Sequence, residues 1–344
     1  MTTLREHLEA FAGSDPRRVA VAQTVAALAS ASVELADLLA LGALAGRMAE
    51  VVGASNDGDG QKVLDVRSNE IFLRRLEPCP VAAIVSEEMD EVKLTGREGP
   101  LAVAMDPLDG SNNIEQNMLV GSIFSLLPVT DPADPAKAFF QPGTAQLSAG
   151  FVVYGPSTVL ALSLGDGTDL FTLHRPSGEW RLTHAKVRIP TWKPEYAINA
   201  SNMRHWTLPI RTYIEELIAG ASGPRGVDYN MRWLACSVGE ALRILLRGGI
   251  YLYPSDARRG YERGRLRLLY EGFPIAFVIE QAGGMASDGF NRILELVPQS
   301  IHQKIPLIYG SREKVERVMA MHNTSVIPPG GQRPLFGERG LFKS

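Results

Sequence analysis

Residues 81–111 read VAAIVSEEMDEVKLTGREGPLAVAMDPLDGS. Two short apolar runs lie inside this stretch, at 81–85 and 101–105, and each has the length of a β-strand and stops abruptly at carboxylates. Glu87 and Glu88 follow the first run, and Asp106 and Asp109 follow the second. If the two strands are parallel neighbours, four carboxylates leave the sheet at one rim, where open α/β sheets hold ligands. Eight acidic residues stand against two basic ones between positions 86 and 115, and they repel one another unless a cation sits among them. Mg²⁺, a hard ion that takes oxygen ligands and holds phosphate, suits that set. Neither HExxH nor a paired CxxC, the patterns of zinc sites, occurs in the chain.

The DPLDGS segment (106–111) adds its own chemistry. Pro107 fixes φ, so a tight turn is expected to present Asp106 and Asp109 together, with the Leu108 carbonyl facing the same cation. Gly110 lets the backbone bend closely, and Ser111 with Asn112 is expected to open a helix whose N–H groups face an anion. A bare DxxDG is usually an ordinary capped turn. The SEE after the preceding strand is what makes this one a site.

Working outward, the chain has 344 residues, 45% of them apolar and 21% charged, with a net charge of −3 and a mean hydropathy of −0.02. About 150 residues per domain suggests two domains, and so balanced a charge argues against a dedicated nucleic-acid binder. The N-terminus, MTTLREHLEAFAG, lacks the apolar region of a signal peptide. The longest unbroken apolar stretch, around 38–46, falls short of the roughly 20 residues that span a bilayer, so no membrane association is expected. Cys79 and Cys236 belong to no pair, as in a reduced, cytoplasmic protein.

Residues 17–50 read as one or two core helices, and GASNDGDG (53–60) reads as a loop that lacks the further ligands of an EF-hand. Segments 151–154, 158–164, 169–173 and 179–183 read as a β-meander. The Pro-rich IPTWKP (189–194) marks a domain join, so two α/β domains meeting near residue 190 are expected. A strand at 196–200, helices at 208–219 and 233–247, a strand at 250–253 and a helix from Pro274 to Gly283 and Gly284 follow. RRGYERGRLR (258–267) holds five arginines against one Glu. Its alternation reads as a strand with Arg265 and Arg267 on one face and Leu266 and Leu268 on the other. Two guanidinium groups so placed would hold a second phosphate away from the metals, favouring a bisphosphate substrate. The six histidines, His7, His174, His184, His205, His302 and His322, form no constellation and read as structural or surface residues.

KVLDVRSNE (62–70), VSEE (85–88), DPLDGSNNI (106–114), NMRW (230–233), GGIYLYP (248–254), GRLRLLYE (264–271) and AGG (282–284), in this order and spacing, make the chain resemble class I fructose-1,6-bisphosphatase. The resemblance covers nearly the whole chain, and DPLDGS with GRLRLLYE is specific to it. It implies a layered α-β-α-β-α sandwich of two α/β domains of the sugar-phosphatase type, a metal-site domain at 1–190 and a substrate-binding domain at 191–344. It further implies two or three Mg²⁺ ions, with Mn²⁺ as a substitute, held by Glu87, Asp106, the Leu108 carbonyl, Asp109 and Glu271, with Glu88 beside them. Asp65 and Glu88 match the carboxylates that take the proton of the attacking water. Asp109, Gly110, Ser111 and Asn112 would surround the 1-phosphate, and Asn199, Tyr253, Arg265 and Arg267 the sugar and its 6-phosphate. Arg232 matches an arginine that reaches a neighbouring subunit's site, implying a homotetramer.

The expected reaction is hydrolysis of the 1-phosphate of D-fructose 1,6-bisphosphate, with the 53–60 loop closing over the site. Three departures from the animal enzymes stand out. Trp233 and Asn202 replace tyrosines, Arg265 replaces a lysine, and the AMP site lacks its phosphate loop around 15–23, with Pro100 and Leu101 where a Lys-Tyr pair stands; weak or absent AMP inhibition is expected. Sedoheptulose 1,7-bisphosphate is an alternative substrate. An inositol-phosphate phosphatase would not need the second phosphate site, and a sugar-phosphate sensor without turnover would not need the full carboxylate set.

Overall fold

The computed structural model describes residues 1–46, 50–54 and 60–325. The chain opens with α1 (Leu4–Ala12), whose Thr3 hydroxyl accepts from the Glu6 amide while the Glu6 carboxylate accepts from the Thr3 amide, a reciprocal cap. α2 (Pro16–Leu41) starts at a proline in its first turn, with Asp15 Oδ1 accepting from Arg18 N at 2.9 Å. The hairpin β1 (Val51–Ala54) and β2 (Gly60–Lys62) leads into α3 (Val63–Leu76). Eight strands then form one sheet with β2's hairpin excluded: β3 (Val81–Ser86), β4 (Lys93–Leu94), β5 (Leu101–Asp109), β6 (Val120–Pro128), β7 (Ser148–Tyr154), β8 (Thr158–Ser163), β9 (Asp169–His174) and β10 (Glu179–His184), in the order β10-β9-β8-β7-β6-β5-β3-β4.

The second half supplies β11 (Glu195–Ala197), α4 (Leu208–Ile218), β12 (Asn230–Met231), α5 (Ser237–Arg247), β13 (Ile250–Tyr253), β14 (Leu266–Arg267), α6 (Phe273–Gln281), β15 (Met285–Ser287), β16 (Lys304–Ile305), β17 (Leu307–Gly310) and α7 (Arg312–Ser325). Five of these strands form a smaller sheet ordered β12-β11-β13-β17-β15, and β14 pairs with β16 apart from it.

Strand periodicity sorts the apolar side chains into three cores. Leu101, Val103 and Met105 of β5 face α1–α3, whereas Ala102 and Ala104 face α5 and α6. Tyr251 of β13 joins that same middle core from the opposite side, while Ile250 and Leu252 turn outward to α4 and α7. The result is five layers, helix-sheet-helix-sheet-helix, and both sheets are covered on both faces.

β3 and β5 are parallel neighbours, with Val85 opposite Ala104 and Ser86 opposite Met105, so their carboxyl ends share a rim as expected. The meander of β7 to β10 is antiparallel throughout. β6, which the sequence reading passed over, lies between β5 and β7.

Several boundaries differ from expectation. Of the one or two helices expected over 17–50, the described residues hold one, α2, followed by a short 3₁₀ turn. Pro16–Ala45 is long and apolar enough by composition to cross a membrane, at a mean hydropathy of 1.6, although polar residues interrupt its apolar runs. Its Val25, Leu28, Ala31 and Leu35 are buried in the core beside Phe72 and Leu126. The 233–247 helix starts only at Ser237, because Ala235 takes a positive φ of 52° and Cys236 is extended. DPLD does not form a free turn: β5 continues to Asp109, with a bulge between Asp106 and Asp109. Pro107 cannot donate to the ladder, and the Ser122 hydroxyl instead caps its carbonyl at 2.7 Å. Of the 53–60 loop expected to close over the site, residues 55–59 lie outside the described residues.

Candidate metal centre and active site

The carboxylates at the rim come from several elements of the chain. Asp106 and Asp109 stand on either side of the bulge in β5, and Asp106 Oδ1 accepts from the Leu108 amide at 3.0 Å. Gly110 follows with φ 81°, a left-handed conformation that glycine takes without steric cost, and opens the turn Ser111–Gln116. Gly121 lies opposite Asp109 in register, and a Cβ there would stand 2.3 Å from both the Val152 carbonyl oxygen and Val238 Cγ2. The missing side chain lets the start of α5 reach Asp109. Val238 N donates to Asp109 Oδ2 at 3.1 Å, and Cys236 Sγ does so at 3.6 Å.

Glu271 comes from the other half of the chain, on a π-helical turn (Leu268–Gly272) that joins β14 to α6. Its Oε2 accepts from the Arg267 amide at 2.5 Å. One carboxylate oxygen each of Asp106, Asp109 and Glu271 lies within 4.8 Å of the others, and all three residues are buried. Glu87 stands next to them with Arg267 Nη2 3.9 Å from its Oε1. Glu88 accepts from Gln61 Nε2 at 2.6 Å, and Asp65, in the first turn of α3, accepts from Lys62 N at 2.7 Å. The other Asp65 oxygen, Oδ1, is sealed from solvent without a hydrogen-bond partner among the described residues.

Burial is the first cause of every pKa shift here. It raises Asp106 well above the usual carboxylate range, reinforced by the charges of Glu87, Asp109 and Glu271. Glu271 is likewise raised well above the usual carboxylate range, by burial and then by the charges of Glu87 and Asp109. Asp109 is raised by burial, against the Val238 amide that stabilises its charge. Glu87 is raised by burial, with the Arg267 charge opposing. Glu88 is pushed up to about 7, and Asp65 is raised despite the Lys62 amide. An oxygen-only set of buried, mutually repelling carboxylates is what a divalent cation relieves and protons relieve less well. The residues therefore fit a hard divalent ion.

The phosphate-side residues fall into two groups. Lys62 Nζ donates to the Ser111 carbonyl at 2.9 Å and to Asn112 Oδ1 at 3.0 Å, which fixes the turn after Gly110. The sequence reading overlooked Lys62, whose side chain, a donor only, is directed by tertiary contact to Ser111 and Asn112 rather than by any local cap pattern. Asn199 and Tyr253 line one small cavity with Asn202, Asp256, Arg258 and Tyr261. Asn199 Oδ1 caps its own turn by accepting from Ser201 N at 3.2 Å. Trp233 lies parallel to Tyr251, ring centroids 5.8 Å apart, and with Tyr253 forms an aromatic wall.

The expected strand carrying Arg265 and Arg267 on one face is corrected. β14 is only two residues long, and the π-helical turn begins at Leu268, so the alternation has no room to develop. Arg265 lies over the Tyr261 ring and donates to its hydroxyl at 2.9 Å, at the edge of the Asn199–Tyr253 cavity. Arg267 is buried and turned toward Glu87. Its charge therefore bears on the carboxylates rather than lying remote from them. Arg232 stands beside the edge strand β12 with its side chain 57% exposed and its Nε 3.9 Å from Glu195 Oε1.

Two family descriptions match consecutive parts of the chain, the N-terminal domain of fructose-1-6-bisphosphatase over residues 20–185 and its C-terminal domain over residues 189–323. A class 1 fructose-1,6-bisphosphatase of Nitrobacter hamburgensis is 53% identical over 341 residues, covering 99% of this chain and 98% of that protein. One from Rhodopseudomonas palustris is 52% identical over 344 residues, at 99% and 98% coverage. Among solved structures, Leishmania major fructose-1,6-bisphosphatase in holo form superposes with a TM-score of 0.86 at 35% identity, covering 94% of this chain and 99% of that one. With its acidic rim, its arginine segment and its five layers accounted for along the whole length, this chain belongs to the class 1 fructose-1,6-bisphosphatases, a family of phosphatases within the hydrolases.

Proposed function

We propose that the chain hydrolyses the 1-phosphate of D-fructose 1,6-bisphosphate to fructose 6-phosphate and inorganic phosphate, and that it requires Mg²⁺. The observation that carries this reading is the buried, oxygen-only meeting of Asp106, Asp109 and Glu271. Two or three Mg²⁺ ions would be held there by those residues with Glu87 and the Leu108 carbonyl, and Mn²⁺ would serve in their place. When bound, the cations supply Lewis-acid stabilisation of the transferring phosphoryl group and acidify a water. The chain's own residues do the rest. Asp65 or Glu88, both with raised pKa, accepts the proton of the attacking water. Lys62 holds Ser111 and Asn112 so that, with Gly110, they receive the 1-phosphate. Asn199, Tyr253, Arg265 and Arg267 receive the sugar and the 6-phosphate, and Arg267 also faces Glu87. No covalent phosphoenzyme is needed.

Residues 1–190 would then act as the metal-site domain and 191–344 as the substrate-binding domain, in a cytoplasmic homotetramer in which the exposed Arg232 completes a neighbour's site. Asp15 places a carboxylate at the N-terminus of α2, which disfavours an anion there and supports weak or absent inhibition by AMP. The deciding experiment is phosphate release from fructose 1,6-bisphosphate, sedoheptulose 1,7-bisphosphate, fructose 6-phosphate and inositol 1-phosphate, with Mg²⁺ and with chelator. Mg²⁺-dependent release from fructose 1,6-bisphosphate, leaving fructose 6-phosphate, is expected. Equal release with chelator, or a preference for the monophosphates, would overturn the reading.

A further inference from the structure

We propose that His302 is a positioning residue for the metal centre, tying the turn that carries Glu87 and Glu88 to the turn that carries Glu271. The inference rests on the metal-centre reading above. Tyr270, adjacent to Glu271 on the π-helical turn, is fully buried, and its hydroxyl lies 2.6 Å from His302 Nδ1. His302 Nε2 lies 3.3 Å from the backbone carbonyl oxygen of Asp90. A carbonyl can only accept, so Nε2 carries the proton, and in the neutral imidazole Nδ1 is then left to accept from the Tyr270 hydroxyl. The two bonds run one way, from Tyr270 through the imidazole to Asp90.

Asp90 closes the far end of the turn that begins after β3, where Glu87 N donates to the Met105 carbonyl at 3.1 Å and Met89 N to the Ser86 carbonyl at 3.2 Å. At the other end, the backbone fixes His302 independently of its side chain: Leu268 N donates to the Gln303 carbonyl at 2.8 Å, and β14 pairs with β16 just beyond. The imidazole thus bridges two carboxylate-bearing turns from opposite halves of the chain. The Arg267–Glu87 pair spans the same gap by charge, and such an attraction gives little direction. The hydrogen-bonded bridge is directional, as the partners that orient metal ligands are.

The test is calorimetric titration of Mn²⁺ into the full-length protein and its His302→Ala, Tyr270→Phe and doubly substituted variants. Partners in direct contact with metal ligands change affinity about 10–100-fold, and this bridge acts one bond further out, so each single substitution is expected to weaken Mn²⁺ binding about 3–10-fold. The double variant should be no weaker than the weaker single one, because either change breaks the same bridge. At saturating Mg²⁺ the KM for fructose 1,6-bisphosphate should stay within about twofold of the parent, a split that general loosening of the fold would not produce. Tyr270→Phe removes one oxygen and keeps the packing, so it remains informative if His302→Ala folds poorly. Binding within about twofold of the parent by Tyr270→Phe, or multiplicative effects in the double variant, would overturn the inference. Glu271→Gln in the same titration separates the two readings. If it binds Mn²⁺ as the parent does, the metal-centre reading falls; if it fails to bind while Tyr270→Phe is unchanged, only the role of His302 falls.

Discussion

At the acidic rim, Asp106 and Asp109 end a nine-residue strand buried on both faces, whereas Arg267 ends a strand of two residues and Arg265 stands just before it. A long ladder dictates where each side chain points, so the parallel pairing of β3 and β5 is enough to bring the carboxylates together. A two-residue ladder dictates little. There the arginines are directed by what they meet, the Tyr261 ring for Arg265 and the Glu87 carboxylate for Arg267. The acidic region also works against itself, with every carboxylate raised by burial, while Arg265 keeps a half-exposed position beside a ring that welcomes its charge.

The largest expected effect lies at the rim. Asp109→Asn keeps the shape and the Val238 contact but removes a ligand charge, and it should lower kcat by at least about 10²-fold. Assay of purified protein with a melting curve checks this, and a fully active variant would break the contrast. Next, the arginines should part company. Arg265→Met should raise KM for the bisphosphate about 10–100-fold through loss of a charge-assisted contact, leaving the Mg²⁺ requirement unchanged. Arg267→Met should also alter the Mg²⁺ concentration for half-maximal activity. Identical behaviour of the two variants would restore the single-face reading.

The pH dependence of stability sharpens the same comparison. The rim carboxylates hold protons more tightly in the folded chain than in the unfolded one, where they titrate near about 4. Folding therefore takes up protons, and the metal-free protein should lose stability as pH rises from about 4 through about 7, where Glu88 titrates. Mg²⁺ should raise the melting temperature more at pH 8 than at pH 5.5, because cation and protons compete for the same oxygens. A Mg²⁺ effect independent of pH would contradict this. The smallest effect is at Gly121, where alanine must displace the Val152 carbonyl or Val238. Overpacking of that kind destabilises by about 1–3 kcal/mol, measurable by denaturant titration, and a shift of Val238 would also weaken the hold on Asp109.

Legibility in the sequence followed the same division. The strands of the rim and the meander were readable because their apolar runs are bounded by turn residues and carboxylates. β6 was not, since GSIFSLL is buried on both faces and shows no alternation. α2 was blurred by Gln23, Glu34 and Asp37, which interrupt its apolar run without breaking the helix. The bulge at Pro107 depends on Ser122 of the next strand, and the bridge at His302 depends on Tyr270 and Asp90, which no local pattern connects. Residues joined by tertiary contact alone stay silent until the chain is folded.

The central claim, that the buried carboxylates form a cation site, is met most directly by calorimetric titration of Mn²⁺ into the metal-free protein and its Asp106→Asn variant at pH 7.5. The expected result is saturable binding by the parent chain that the variant loses or shows weakened by about 10²-fold or more. Equal binding by the two proteins would contradict the account.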